Sequence, residues 1–372
     1  MNLHLLSPIN SLGVGRHSFQ LGRALHHQGH HIMLTPVFNS IDREGLEAED
    51  ELMIQGWVRN REQATSFKIA SLYNFHPSYL TQFYGQPRVG MVVFETDKLS
   101  NEEVRAIETC DIVLTPSHWS QGVLANHGIT AQVVNEGVDL DKYLLSPRKM
   151  DGTIIFGSVG KYEKRKSTPE ILQAYLRGTE DAKIPSELRL HCWNPFMKYD
   201  DLLKQLTSII FAEASASFLQ VPGGWQFTHG KRKIMVYTHR FQQESDMVEF
   251  YHGLDYFLHF SKAEGWSLPL IEALACGVPA ITTDITGHSE FLKTYPDALK
   301  LKKVAKKVAH DGVWFHGQKG DWYEPHLGEL TDMIKGVMKN PTQYETQREM
   351  IRNCVAPYTW DAAAESLIKV LS

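Results

Sequence analysis

Two glutamates, Glu264 and Glu272, stand eight positions apart in the segment Ser261-Lys262-Ala263-Glu264-Gly265-Trp266-Ser267-Leu268-Pro269-Leu270-Ile271-Glu272-Ala273-Leu274-Ala275-Cys276-Gly277-Val278-Pro279. Pro269 near the start of the apolar run, Gly277 past its end and Pro279 just beyond bound a short helix. Glu264 then falls in the loop before the helix and Glu272 on it, so two carboxylates can approach one ligand from two sides. An ionised carboxylate accepts hydrogen bonds from both hydroxyls of a vicinal diol, which suits it to a sugar or a ribose. Leu270, Ile271, Ala273, Leu274 and Ala275 surround Glu272. A carboxylate in such a buried helix requires a ligand or a partner, because an unpaired one is costly; a surface glutamate is the competing reading.

Two further loops suit anions. Ser11-Leu12-Gly13-Val14-Gly15-Arg16 joins an apolar strand to an amphipathic helix. Gly13 and Gly15 allow backbone N–H groups to approach a phosphate at the positive end of that helix. The third glycine of a dinucleotide fingerprint is missing, so a plain tight turn is the alternative. Gly160-Lys161-Tyr162-Glu163-Lys164-Arg165-Lys166 also follows a strand, and its cations are either a phosphate site or a solvated charge run.

These loops need sheets to hold them. Short apolar runs alternate with helical segments, the βαβ pattern of a mostly parallel sheet. In the first half Leu3–Leu6, Ile32–Val37, Phe67–Leu72, Arg88–Phe94, Ile112–Thr115 and Gln132–Val134 read as strands, with a helix from about Gly15 to Gln28. Ser146-Pro147-Arg148-Lys149-Met150-Asp151-Gly152 reads as a linker. The pattern then restarts with Thr153–Val159, Leu188–Trp193, Ile234–Tyr237, Tyr256–Phe260 and Ala280–Thr283. This predicts two Rossmann-like domains facing a cleft, over residues 1–148 and 149–356. A lysine-rich run, Lys300, Lys302, Lys303, Lys306 and Lys307, reads as a solvated face or as an amphipathic surface helix touching acidic lipid or nucleic acid. The aromatic stretch Trp314-Phe315 to Trp322-Tyr323 has no evident role in the pattern.

The Glu264-x7-Glu272 segment, with Gly-aromatic after the first acid and Ala-Cys-Gly-Val-Pro after the second, resembles the E-x7-E element of retaining GT-B glycosyltransferases of the fourth family, the glycosyl transferases group 1. Gly13-Val14-Gly15-Arg16 resembles that family's first loop, whose second glycine lies against the donor diphosphate. Gly160 to Lys166 resembles its Gly-Arg-…-Lys-Gly element, with Lys161 at the Arg position, Lys166 at the Lys position and Ser167 in place of glycine. The resemblance implies a GT-B fold and a donor site of Gly13, Gly15, Lys161, Arg165, Lys166, Glu264, Trp266, Ser267, Leu268 and Glu272. Within it Glu264 faces the sugar, Glu272 holds the ribose, and the N–H groups of Trp266, Ser267 and Leu268 complete the phosphate cradle. Ser267 also stands where a helix cap would. Relatives carry a histidine where the strand Arg88–Phe94 leads into the cleft. Here Glu95-Thr96-Asp97 follows, making Glu95 a third catalytic candidate beside Glu264 and Lys166, with Glu95 and Asp97 each either a hydroxyl ligand or a strand-end cap. Tyr358-Thr359-Trp360-Asp361 and an alanine-rich segment resemble the family's closing helix, about 357–372, which crosses back to the first domain.

Cations and helix-terminal N–H groups can stabilise a leaving phosphate without a metal, so no cofactor and no metal site are expected. Asp139-Leu140-Asp141 looks like a metal motif but sits in the Asn135 to Asp139 loop and reads as structural. The expected activity is retaining transfer of a hexose or related sugar from a nucleotide diphosphate sugar, UDP-sugar favoured, to a hydroxyl acceptor on a glycan, lipid, small molecule or modified nucleic acid. The competing readings are a transferase for a modified DNA base, a sugar-nucleotide epimerase and a non-catalytic sugar-nucleotide-binding subunit. A net charge of −5 argues against a general nucleic-acid coat. Four scattered cysteines fit a reducing compartment. With no signal-peptide-like start and no spanning run, a cytoplasmic protein, at most peripheral to a membrane, is expected.

Overall fold

The computed structural model describes residues 1–43, 46–63, 68–147, 152–237, 239–241 and 243–372. The first sheet is wholly parallel, in the order β2-β1-β3-β4-β5-β6. Its strands are β1 Asn2–Ile9, β2 His31–Ile41, β3 Ala70–Asn74, β4 Arg88–Met91, β5 Ile112–Thr115 and β6 Gln132–Val133. The second sheet runs β14-β13-β12-β7-β8-β11-β10-β9. It comprises β7 Ile154–Val159, β8 Ser186–His191, β9 Ser217–Val221, β10 Gly224–His229, β11 Arg232–Tyr237, β12 Tyr256–His259, β13 Ala280–Thr283 and β14 Lys300–Leu301. Strands β9 and β10 pair antiparallel at its edge. The third sheet is a hairpin, β15 Val304–His310 and β16 His316–Pro325.

The strand order reverses between β1 and β3 in the first sheet and between β7 and β12 in the second. Open α/β sheets place their ligands at such switch points, beyond the carboxyl ends of the strands. The Gly13–Gly15 loop leaves β1 there, and the loops carrying Lys164 to Lys166 and Glu264 leave β7 and β12. β7 and β12 bury aromatic and aliphatic side chains on both faces, as central parallel strands do: Phe156, Tyr256, Phe257 and Leu258 are fully enclosed.

The C-terminal chain crosses back. Val138 N donates to Tyr358 O at 3.0 Å. The helix Trp360–Leu371 packs on the helix Gly13–His27, with the His17 and Trp360 rings 5.6 Å apart. Gly137 permits this, because a Cβ there would lie 2.3 Å from Trp360 N. The expected linker falls largely outside the described residues, as does the start of the expected strand Phe67–Leu72.

Two readings change. The lysine run forms no helix: Lys300 lies in β14, and Lys306 and Lys307 lie in Val304–His310, which pairs antiparallel with the second half of the aromatic stretch, Val304 opposite Pro325 and Lys307 opposite Trp322. Its Val-Ala-Lys-Lys-Val-Ala order lacks the strict alternation of a half-buried strand, and of these residues only Ala309 is buried. The edge hairpin β9–β10 adds to the second sheet two strands that polar, turn-rich sequence concealed.

Candidate active site

Glu264 lies at the carboxyl end of β12, 4% exposed, in a loop that the chain holds on both sides. Its N–H donates to Thr286 Oγ1 at 3.0 Å, and its carbonyl accepts from Gly287 N at 2.9 Å. Gly287 is required there: a Cβ would sit 1.8 Å from Gly265 O. On the other side Gly265 touches the first domain, where a Cβ would meet Val93 Cγ1 at 2.6 Å.

The carboxylate takes Lys166 Nζ at 2.5 Å on Oε1 and Arg165 Nη1 at 2.9 Å on Oε2. Burial alone would raise the Glu264 carboxyl, but these two cations hold it well below the usual carboxylate range. Burial also draws the Lys166 ammonium down while Glu264 pushes it back up. The 2.5 Å contact and the second cation beside it make the charged pair the state this site holds. Arg165 is a hub. Its guanidinium also donates to Ala263 O at 2.7 Å and to Glu163 at 2.8 Å, and lies 3.5 Å from Glu95 of the first domain. With so many acceptors around it, Arg165 organises the loop, whereas Lys166 keeps ammonium hydrogens for an anion. Lys161 turns to Glu163 at 3.5 Å and lies over the Phe196 ring at 5.5 Å.

Behind Glu264 stands a neutral pair of histidines. His259 Nε2 meets Ser267 Oγ at 3.0 Å, and its ring packs edge-on against His288 at 4.9 Å. Burial, with His259 adding to it, pushes the His288 imidazole down to about 3, so it is uncharged at neutral pH. Ser267 therefore does not cap the helix Leu268–Ala275; its hydroxyl is engaged by His259, and its φ of 88° is left-handed. Ser167 (φ 56°) and Thr286 (φ 50°) share that unusual conformation. Non-glycine residues at positive φ are uncommon and cluster at functional sites. Trp266 packs its ring between Phe291 and Tyr358, at 5.1 and 5.5 Å. Leu268 is buried at the helix start.

Glu272 belongs to a second cluster. Its Oε1 takes Arg16 Nη2 at 2.5 Å and its Oε2 the Tyr251 hydroxyl at 2.9 Å. Arg16 also donates to Tyr143 at 3.1 Å and lies 3.9 Å from Glu244. Burial raises the Glu272 carboxyl against the pull of Arg16. The partner that the apolar surroundings of Glu272 demanded is thus Arg16, from the first turn of the helix Gly13–His27 that follows β1. Arg16, Tyr143, Glu244 and Glu272 line a small cavity between the domains with Leu268 and Trp360. Gly13 is exposed with open space around it, while Gly15 lies against Asn10, whose backbone a Cβ would meet at 2.5 Å.

The remaining candidates separate cleanly. Glu95 faces Arg165, whereas Asp97 is occupied by Asp321 N at 2.7 Å and Lys306 Nζ at 2.5 Å. Asp139 pairs with Arg23 at 2.8 Å and accepts from the N–H groups of Asp141 and Lys142, which is a structural use. His118 holds Glu290 of the second domain at 2.9 Å. The lysine run is largely paired with acids, Lys300 with Asp284, Lys302 with Asp297, Lys306 with Asp97 and Lys307 with Glu324. Sequence reasoning did not pick out Arg16, Tyr251, Glu163 or His259. Arg16 was the one legible in principle, as the only cation beside the first glycine loop.

Comparison with known proteins fits this geometry. Residues 231–311, which include both glutamates, match the family described as Glycosyl transferases group 1. The fold is that of the GT-B proteins, and residues 231–311 are similar to the glycosyl transferases group 1 family. A curated relative from Sulfolobus islandicus rod-shaped virus 1, named an uncharacterized glycosyltransferase, is 26% identical over 215 residues, 57% of this chain and 55% of that one. The chain thus matches about half the length of that relative. Among solved structures, HepE of Anabaena in complex with UDP and glucose superposes with a TM-score of 0.66 at 13% identity, covering 100% of this chain and 99% of that one. Sucrose-phosphate synthase from Thermosynechococcus elongatus gives 0.65 at 14% identity, covering 100% and 98%. Trehalose 6-phosphate synthase from Burkholderia multivorans gives 0.65 at 10%, covering 100% and 98%. At such identities the likeness is one of fold. No helix among the described residues is long and apolar enough to cross a membrane.

Proposed function

We propose that this chain transfers a hexose or related sugar from a nucleotide diphosphate sugar, UDP-sugar favoured, to a hydroxyl acceptor, with retention and without a resident metal. The observation that carries the reading is Glu264 held between Lys166 and Arg165 at the switch point of the second sheet, opposite Glu95 of the first domain. As the anomeric C–O bond to the diphosphate breaks, negative charge grows on the leaving phosphate. A fixed ammonium such as Lys166 stabilises that charge more than it stabilises the bound donor. Glu264 is ionised and able to accept sugar hydroxyls or to face positive charge at the anomeric carbon. Glu272 reaches the ribose if the diol takes the place of Arg16 on its carboxylate. The UDP preference is supported by the fold likeness to HepE, whose structure holds UDP and glucose. Cys110, Cys192, Cys276 and Cys354 are all free, which supports a cytoplasmic setting.

The test is to follow transfer from α-configured sugar nucleotides by NMR, with and without EDTA. An α-linked product formed at the same rate in EDTA is expected. A β-linked product, or loss of turnover in EDTA restored by Mg²⁺, would contradict the reading. Lys166→Ala and Glu272→Ala should each lower the rate by about 30–1,000-fold, roughly 2–4 kcal/mol of transition-state stabilisation.

A further inference from the structure

The hairpin Val304–Pro325 touches both domains along its length. Its inner side packs Ala309, Phe315 and Trp322 on Ala263, the residue before Glu264, as a small core of its own. Tyr323 N donates to Lys262 O at 2.8 Å, and Lys164 Nζ to His310 O at 2.8 Å. Lys262 and Lys164 both lie over the Trp322 ring, at 5.5 and 5.8 Å. His310, Phe315, Trp322 and Tyr323 thereby fix the hairpin to the two loops that carry Glu264 and Lys166.

Lys306 and the segment Lys319–Asp321 of the same hairpin grip the first domain just after Glu95. Asp321 N donates to Asp97 Oδ1 at 2.7 Å, and Asp97 N to Asp321 O at 3.4 Å. Lys306 Nζ is 2.5 Å from Asp97 Oδ2, and Lys319 Nζ is 3.0 Å from Glu103 Oε1. Gly320 makes the approach possible: a Cβ would lie 2.4 Å from Asp97 Oδ1 and 2.6 Å from Lys98 Cβ. Exposed ion pairs of this kind contribute little. The acidic side chains here are not exposed, at 19% for Asp97 and 5% for Glu103. Glu103 is also bound in a capping box by Ser100, so its position on the helix Asn101–Ile107 is fixed. A two-stranded hairpin has little stability of its own, and this one is held by what it joins.

We propose that this hairpin is an interdomain clasp and that Asp97 is a positioning residue, holding the chain two residues before it so that Glu95 stays against Arg165, the partner of Glu264. The proposal rests on the transferase reading above. It separates two steps: the donor is held by Lys166 and its neighbours in the second domain, which need no clasp, whereas transfer needs Glu95 and the first domain in place. Loss of the clasp therefore lowers turnover and leaves donor affinity alone, since small misplacements of a reacting group cost far more in rate than in binding.

The experiment compares wild type, Asp97→Ala, Asp97→Asn and Lys306→Ala/Lys319→Ala for UDP-sugar affinity, transfer or hydrolysis rate, thermal midpoint and radius of gyration by small-angle scattering. Asp97→Ala is expected to lose roughly 10–100-fold in rate, to keep wild-type donor affinity and to expand measurably. Asp97→Asn, which still accepts the Asp321 N–H, is expected to recover most of the rate, and the lysine double variant, which keeps that bond, to fall between wild type and Asp97→Ala. Wild-type rate and unchanged scattering in Asp97→Ala would overturn the proposal. So would a parallel fall in rate, affinity and thermal midpoint that Asp97→Asn does not rescue, since that is a merely structural role. If wild type binds no sugar nucleotide, the transferase reading fails by itself; scattering then decides the clasp, expansion of Asp97→Ala supporting it and no expansion overturning it.

Discussion

At the scale of single residues, the account turns on which polar groups are held and which are free. Glu264→Gln removes the charge that Lys166 and Arg165 face and should lower turnover about 100–1,000-fold, read as kcat with donor affinity measured separately. The same residue sets an acid dependence. Its carboxyl titrates well below its usual 4.5, so its contribution to stability is complete above about that pH and is lost as pH falls toward its folded value. Glu272 has the opposite sign, because its raised carboxyl takes up a proton more readily in the folded state and offsets part of that loss. Urea midpoints between pH 7 and pH 3 should therefore fall, and fall less steeply in Glu264→Gln than in wild type. The left-handed serines give a second contrast. Ser167 has a buried hydroxyl with no partner, so Ser167→Gly should stabilise by ~0.5–1 kcal/mol. Ser267→Gly relieves the same conformation but removes the bond to His259, and its denaturation midpoint should not rise. Glu264 and Lys166 were legible in the sequence because their neighbours fixed loop and helix. Arg16 was not singled out, since its partner lies 256 positions away and no local pattern reports such a contact.

At the scale of elements, glycine spacing and apolar runs located the parallel strands well: β5 and β13 match the expected Ile112–Thr115 and Ala280–Thr283 residue for residue. Central parallel strands are short, apolar and bounded by turn residues, so their signal is local. The hairpin Val304–Pro325 was illegible for the opposite reason. Its lysines are neutralised by acids brought from Asp97, Glu103 and Glu324, and a charge run whose partners lie elsewhere looks like a solvated face. The closely packed loop crossing Gly265–Gly287 is the element on which the site depends most. Gly287→Ala forces a methyl into Gly265 O and should cost ~1–3 kcal/mol while displacing Glu264. A lowered thermal midpoint together with loss of turnover is the expected outcome, and full activity would show that the loop tolerates the shift.

At the scale of the whole molecule, the bridges that hold the two sheets in one arrangement include the crossing segment at Val138 and Tyr358, the hairpin on Asp97, Arg16 on Glu272 and His118 on Glu290. The C-terminal helix belongs structurally to the first domain. Trp360→Ala, emptying a buried site against His17 and Gly137, should destabilise by ~3–5 kcal/mol, seen as an earlier unfolding transition of the first domain. The most direct test of the central claim is calorimetric titration of UDP-, GDP- and ADP-sugars into wild type and Lys166→Ala. The account predicts that one nucleotide sugar binds wild type and that Lys166→Ala, with its fold intact by circular dichroism, loses that binding. Failure of every sugar nucleotide to bind, or equal binding by the variant, would contradict it.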